Sequence, residues 1–291
     1  MSQGGLGEVD LLRNSRESTF AQAPGTSGTT PTLRIGAVAL TDRGRKRRNN
    51  EDSILIFDLH RQTAYSAGSD VALEVSRPGV LLAVADGMGG HQAGQVASAL
   101  CVENLPKEFQ SAFARRDSGE NGAVEAFREA VEATNQLIFE TASKNPEQEG
   151  MGTTLTAALL SGKEISIAQV GDSRAYLLND HSLKQLTEDQ TVGNLLGDQL
   201  GGERDSRLLD LLVQALGAQA TVDVALTGAT LDPENLLLLC SDGLYKVLSD
   251  GEIAQTLRQT ASLREKAETL IERANGKGGP DNITVVLATR P

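Results

Sequence analysis

The sequence predicts an α+β fold, a sandwich of mainly antiparallel β-sheet with helices on the outside. Three observations carry that expectation. Strand-like segments arrive in consecutive runs rather than in strict alternation with helices, and helix-patterned segments are inserted in pairs. With 39% apolar and 23% charged residues in 291, and only 8 Pro, the chain can bury a packed core and shows no low-complexity bias.

Residues 1–32 are rich in Gly, Ser, Thr and Pro and lack sustained periodicity, so they are expected to form a flexible tail ahead of one domain spanning 33–291. Residues 33–40 and 52–57 are short, β-branched-rich runs separated by a polar loop, which suggests two paired strands. The polar stretch 60–78 is expected to be a hairpin or loop insertion. A continuous apolar strand, 80–85, leads through a glycine-rich turn into a long helix over 93–114. A second helix is expected over 123–143, where Val124, Phe127, Val131, Leu137 and Ile138 recur at mostly helical spacing.

The pattern then returns to strands at 153–160, 164–170 and 174–178. Residues 207–216 look helical, and 236–240 is another buried strand. Two helices follow, each opened by a capping-box pattern, Ser249 with Glu252 and Ser262 with Glu265. Asn275-Gly276 is a plausible stop for the second. Residues 283–288 close the chain as a strand, and no internal repeat is present.

A net charge of −12 argues against generic binding to nucleic acid or to an anionic membrane. The longest apolar runs fall far short of the ~20 residues that span a bilayer. The first thirty residues lack the apolar core of a signal peptide. Two cysteines, Cys101 and Cys240, supply no disulfide framework and are expected in the core. A soluble, cytoplasmic, monomeric protein is the expectation.

The informative feature is where the acids sit. Glu51-Asp52 follow a basic loop and open a strand. Asp86 follows the apolar run 80–85; Asp172 follows 165–170; Asp242 follows 236–240; Asp281 precedes the last strand. Any one Asp-Gly is ordinary turn chemistry. Five acidic strand ends in one chain are harder to explain that way. Carboxylates brought together repel one another unless cations lie between them, and oxygen-only ligation suits Mg²⁺ or Mn²⁺. With three scattered histidines, His60, His91 and His181, a zinc site is not expected. The basic loop Arg43-Gly44-Arg45-Lys46-Arg47-Arg48 would by default be a solvated charge run, but it directly precedes Glu51-Asp52, so one arginine could reach a phosphate held there.

Thr41-Asp42-Arg43-Gly44, Arg47 and Asn50-Glu51-Asp52 resemble the opening motif of the metal-dependent Ser/Thr protein phosphatases, the PPM or type-2C family. Val84-Ala85-Asp86-Gly87-Met88-Gly89-Gly90, Met151-Gly152-Thr153-Thr154, Val170-Gly171-Asp172-Ser173-Arg174, Cys240-Ser241-Asp242-Gly243-Leu244 and Gly279-Pro280-Asp281-Asn282-Ile283-Thr284 resemble its later motifs in the same order, across residues 41–286. Met88 makes the match look like the bacterial branch.

The resemblance implies two central antiparallel sheets between helical layers. It implies two Mn²⁺ or Mg²⁺ ions, with a third, weaker one in bacterial relatives. Asp86 would bridge two metals, with the Gly87 carbonyl on one; Asp242 and Asp281 would ligate the other. Glu51 and Asp52 would lie near the metals, largely through coordinated waters, and Asp172, with Asp242, would serve the third ion. Arg47 would grip the phosphate, and Asn282 would support the site at close range. The implied reaction is single-step hydrolysis of phosphoserine and phosphothreonine by a metal-bridging hydroxide, on proteins phosphorylated by a bacterial Ser/Thr kinase.

The chain departs from the family at two places. Met88 stands where animal members carry a histidine proposed as general acid, and His91 is better explained as a surface or capping residue. Gln190 stands where a histidine is frequent, at the start of a flap over 190–207 in which Gly201-Gly202 suggests mobility and substrate choice is expected to reside. Two other readings compete. One is a regulatory module that keeps the fold without efficient catalysis, motivated by Met88. The other is a nucleic-acid-associated protein using Arg43 to Arg48, which the net acidity and the lack of interleaved aromatics oppose.

Overall fold

The computed structural model of the chain describes residues 33–89, 93–116, 120–196 and 206–291. Its strands are β1 (Leu33–Asp42), β2 (Asp52–Asp58), β3 (Thr63–Ala64), β4 (Val71–Val75), β5 (Val80–Met88), β6 (Gly152–Thr153), β7 (Leu155–Ser161), β8 (Glu164–Val170), β9 (Arg174–Leu178), β10 (Leu183–Gln185), β11 (Ala225–Thr230), β12 (Leu236–Cys240) and β13 (Ile283–Thr289). The helices are α1 (Ala93–Ala114), α2 (Glu120–Lys144), α3 (Val192–Leu196), α4 (Ser206–Leu209), α5 (Asp242–Tyr245), α6 (Asp250–Leu257) and α7 (Leu263–Gly276).

A six-stranded sheet has the order β10-β9-β12-β13-β1-β4, and a seven-stranded sheet the order β11-β8-β7-β5-β2-β3, with β6 paired to β5. Every pairing is antiparallel. The two sheets face each other through a core that includes Ile35, Ala37, Ile56, Leu82, Val84 and Val286. Helices α1 and α2 cover the outer face of the seven-stranded sheet, and α5 to α7 that of the six-stranded sheet. The expected four-layer α+β sandwich is therefore present.

Strand β5 shows why its sequence is continuously apolar. Side chains alternate faces along a strand. Leu81, Ala83 and Ala85 enter the core beneath α1 and α2, while Val80, Leu82 and Val84 enter the core between the sheets. Both faces are covered, so period-two polarity disappears. In the outer core, Phe109 meets Phe127 edge-on at 6.4 Å between ring centres. Cys101 and Cys240 are fully buried and unpaired, as expected.

Three sequence expectations are corrected. Strands β1 and β2 do not pair. β1 lies between β13 and β4, whereas β2 lies between β5 and β3 in the other sheet. The loop joining them is an arch too long for a tight hairpin turn, and it is held by Asn282, whose Nδ2 donates to the carbonyls of Arg43 and Asn49 at 2.9 Å each. The insertion at 60–78 is divided, its strands β3 and β4 extending different sheets. Residues 207–216 are helical only in the short α4. Beyond it the backbone is claimed by other segments: Val213 N–H donates to the Gln190 carbonyl at 2.8 Å, and Leu216 N–H to that of Thr153 at 2.9 Å. Strand β11 is an element that sequence patterning did not reveal.

Both capping boxes are formed. Ser262 Oγ accepts from Glu265 N–H, and the Glu265 carboxylate accepts from Ser262 N–H at 2.8 Å. Removing a side-chain cap costs about 1 kcal/mol. Ser262→Ala should lower the unfolding free energy of the chain by about that amount in urea, with an unchanged slope; no loss of stability would mean that packing alone fixes the start of α7.

Candidate active site

Sheet register places the acidic strand ends at one end of the sandwich. Asp52 opens β2 directly opposite Asp86 near the end of β5. In the other sheet, Cys240 at the end of β12 lies opposite Val285 near the start of β13 and opposite Arg174 at the start of β9. Asp242, Asp281 and Asp172, each just outside these strands, therefore share that end.

Glycines let the backbones close up. A side chain at Gly243 would collide with the Asn282 carbonyl oxygen, and one at Gly87 with the carbonyls of Gly94 and Glu51. Helix α1 thus begins pressed against the Gly87 peptide, and Gly87 N–H donates to the Glu51 carbonyl at 3.2 Å. Asn282 completes the frame: its Oδ1 accepts from Glu51 N–H at 2.8 Å, while its Nδ2 holds the arch.

The carboxylates differ in how their charge is met. Asp52 is 8% exposed, and its Oδ2 accepts from Ser241 Oγ at 2.7 Å and Thr284 Oγ1 at 2.6 Å. Loss of water nevertheless dominates, and with Asp242 and Asp281 nearby it pushes Asp52 up to about 7. Asp86 is driven well above the usual carboxylate range, first by desolvation and then by Asp52, Asp242, Asp281 and Asp172. Asp172 and Glu51 are raised by burial as well. Asp281 receives Arg47 Nη2 at 2.6 Å. Lys246 Nζ bridges Asp242 Oδ2 at 2.7 Å and Asp172 Oδ2 at 3.3 Å.

Among the described residues no three Asp, Glu, His or Cys side chains close around one point as a ready-made ligand set. Asp52, Asp86, Asp172, Asp242 and Asp281 are electrostatic neighbours, with Arg47 and Lys246 between or beside them. Two atoms still fit a cation: Asp52 Oδ1 and Asp242 Oδ1 are buried and accept no hydrogen bond. A buried, unpartnered carboxylate oxygen is costly unless a cation or donor meets it. The all-oxygen donor set suits Mg²⁺ or Mn²⁺ rather than zinc.

A cavity of about 400 Å³ adjoins this cluster, lined by Asp172, Arg174, Asp189, Asn194, Tyr245 and Lys246 among others. Arg174 grips Asp189 with two nitrogens, Nε at 2.9 Å and Nη2 at 2.7 Å, and its guanidinium lies 3.6 Å from the centre of the Tyr245 ring. Tyr245 OH in turn donates to the Asp172 carbonyl at 3.0 Å. Gln190 joins this frame, its Oε1 accepting from Gly171 N–H at 2.7 Å. Arg174, Tyr245, Lys246 and the hydroxyls of Ser241 and Thr284 were not singled out by sequence reasoning. For Lys246 a clue was available, a lysine four residues after Asp242. His91 and Gly201-Gly202 lie outside the described residues.

Because Asp52 is raised from an ordinary value near 3.9 to about 7, its ionisation costs the fold nothing below the lower value. The cost grows between the two values and is full above the higher one. In EDTA, Asp52→Asn should therefore unfold at higher urea than wild type at pH 8, and the gain should shrink as the pH falls towards 4.5. A difference independent of pH would contradict this.

The Protein phosphatase 2C family matches residues 69–287. A relative from Listeria monocytogenes, Serine/threonine phosphatase stp, is 38% identical over 255 residues, covering 86% of this chain and 94% of the relative. Serine/threonine protein phosphatase PstP of Mycobacterium tuberculosis is 37% identical over 268 residues, covering 88% of this chain and 45% of that longer protein. Among solved structures, the M. tuberculosis serine/threonine phosphatase PstP/Ppp superposes with a TM-score of 0.69 at 37% identity, covering 89% of this chain and 99% of that one. The S. agalactiae serine/threonine phosphatase gives 0.75 at 32%, covering 88% and 100%. The two-sheet architecture, the ordered acidic strand ends and this match over most of the sequence converge: the chain belongs to the protein phosphatase 2C family.

Proposed function

We propose that this chain is a metal-dependent phosphoprotein phosphatase that hydrolyses phosphoserine and phosphothreonine in proteins. The observation that carries the proposal is the acidic centre itself, with two buried carboxylate oxygens lacking any partner and an exposed arginine, Arg47, at its rim. Relatives that share most of the sequence are named serine/threonine phosphatases, which supports the same substrate class here. Residues 33–291 would form the catalytic domain.

Asp86, Asp242 and Asp281, with the Gly87 carbonyl, would hold two Mn²⁺ or Mg²⁺ ions. Glu51 and Asp52 would act on them through water, and Asp172 would stand at the Asp242 edge. Such ions, when bound, lower the pKa of water and offset charge on phosphoryl oxygens. The protein's own share is orientation and charge. Ser241 and Thr284 fix the Asp52 carboxylate by its Oδ2. Asn282 ties the arch bearing Arg47 to the strand end bearing Asp281. The Arg47 side chain is 51% exposed, and its planar fork can take two phosphate oxygens. A cysteine nucleophile is disfavoured. Burial pushes Cys101 up to about 12 and Cys240 higher still, so neither supplies a thiolate at neutral pH.

The physiological substrates would be targets of a partner Ser/Thr kinase, met in the cytoplasm by a monomer. No helix among the described residues is long and apolar enough to cross a membrane. The test is phosphate release from a phosphothreonine peptide titrated with Mn²⁺ and quenched with EDTA. Release should depend on Mn²⁺ and should fall roughly a hundredfold or more in Asp242→Asn, as expected when one charged partner of the reacting centre is lost. Undiminished turnover by folded Asp242→Asn would overturn the site assignment; no release from folded wild type would favour a regulatory module.

A further inference from the structure

Resting on that reading, we propose that Lys246 is a built-in counter-ion for the Asp172–Asp242 edge, so that a divalent cation binds this edge only by displacing the lysine ammonium. The geometry is specific. Asp242 opens α5, and Lys246 follows one turn later, its N–H donating to the Asp242 carbonyl at 3.0 Å. That turn returns Nζ to Asp242 Oδ2 at 2.7 Å. An i,i+4 pair of this kind is common on helix surfaces. The second contact is different: the same nitrogen reaches Asp172 Oδ2 at 3.3 Å, on the loop between β8 and β9 and 74 residues away in sequence. The hydroxyl of Tyr245, the preceding residue, shares its one proton between the Asp172 carbonyl at 3.0 Å and the same Asp172 oxygen at 3.2 Å. The last residue of α5 and the residue that caps it thus hold the side chain of Asp172, a residue only 4% exposed.

Lysine is suited to this place because its ammonium is a compact charge with three donors that can serve two carboxylates at once. A Mg²⁺ ion seeks the same oxygens at about 2.0–2.1 Å, and a divalent cation and the ammonium cannot share them without strong repulsion. Asp242 is divided between the two demands. Its Oδ2 is committed to Lys246, while its Oδ1 is buried without a partner and remains open to an ion. The lysine therefore closes the Asp172 side of Asp242 and leaves Asp242 Oδ1 available.

The experiment is a calorimetric titration of the full chain with Mn²⁺ alone, wild type against Lys246→Met, with Lys246→Gln as a second variant and circular dichroism to confirm folding. The expected result is an added binding event, or at least a tenfold tightening of the weakest one, in the lysine variants. That gain should vanish in Lys246→Met/Asp172→Asn. Equal stoichiometry and affinities in wild type and both folded variants would overturn the counter-ion role while leaving the proposed function standing. Absence of Mn²⁺ binding in every form would overturn the metal reading, and this inference with it.

Discussion

Like charges held together in a dry place are the constraint on which the rest of this structure turns. Asp52, Asp86, Asp172, Asp242 and Asp281 are carried to one end of the sandwich by largely buried, mostly apolar strands. Loss of water there makes the ionised forms of Asp52, Asp86 and Asp172 costly. The protein answers in distinct ways. Asp52 is met by two hydroxyls, from Ser241 and Thr284. Asp281 is met by Arg47, and Asp172 with Asp242 by Lys246. What these contacts leave over, notably Asp52 Oδ1 and Asp242 Oδ1, is the capacity a divalent cation would use.

The fold supplies the rigidity that this arrangement needs. Repulsion would splay flexible loops apart, but here Asp52 and Asp86 sit at the ends of strands locked between neighbours, and Asp172, Asp242 and Asp281 lie within two residues of such strands. Asp52 and Asp86 are direct cross-strand partners. Asp242 and Asp281 flank the paired ends of β12 and β13, where Gly243 admits the Asn282 carbonyl at a distance no side chain would allow. Asn282 then carries this order into the other sheet through Glu51 N–H and into the arch that presents Arg47. On the opposite flank, Tyr245, Arg174, Asp189 and Gln190 connect the Asp172 loop to the segment expected to form the flap.

Much of this was legible in the sequence, for identifiable reasons. Carboxylates at the ends of apolar runs are visible because burial imposes the run and chemistry interrupts it. The bounds of α1 and the two capping boxes followed from periodicity and from local hydrogen bonding, both short-range properties. Sheet membership was not legible, since β1 and β2 have the same local pattern whether they pair or face each other across a core. Residues 210–216 carry leucines at helical spacing, yet their backbone groups bond to Gln190 and Thr153, partners that only the tertiary fold brings near. The hydroxyls of Ser241 and Thr284 and the ammonium of Lys246 were hidden for the same reason, because their value lies in which carboxylate they meet.

On the proposed function, cations complete the acidic centre. Diffraction from crystals soaked in Mn²⁺, recorded at the manganese absorption edge, tests it most directly. Anomalous density is expected beside Asp86 and Asp242, with Arg47 released from Asp281. Absence of such density, with Arg47 and Lys246 still bound to the carboxylates, would contradict it.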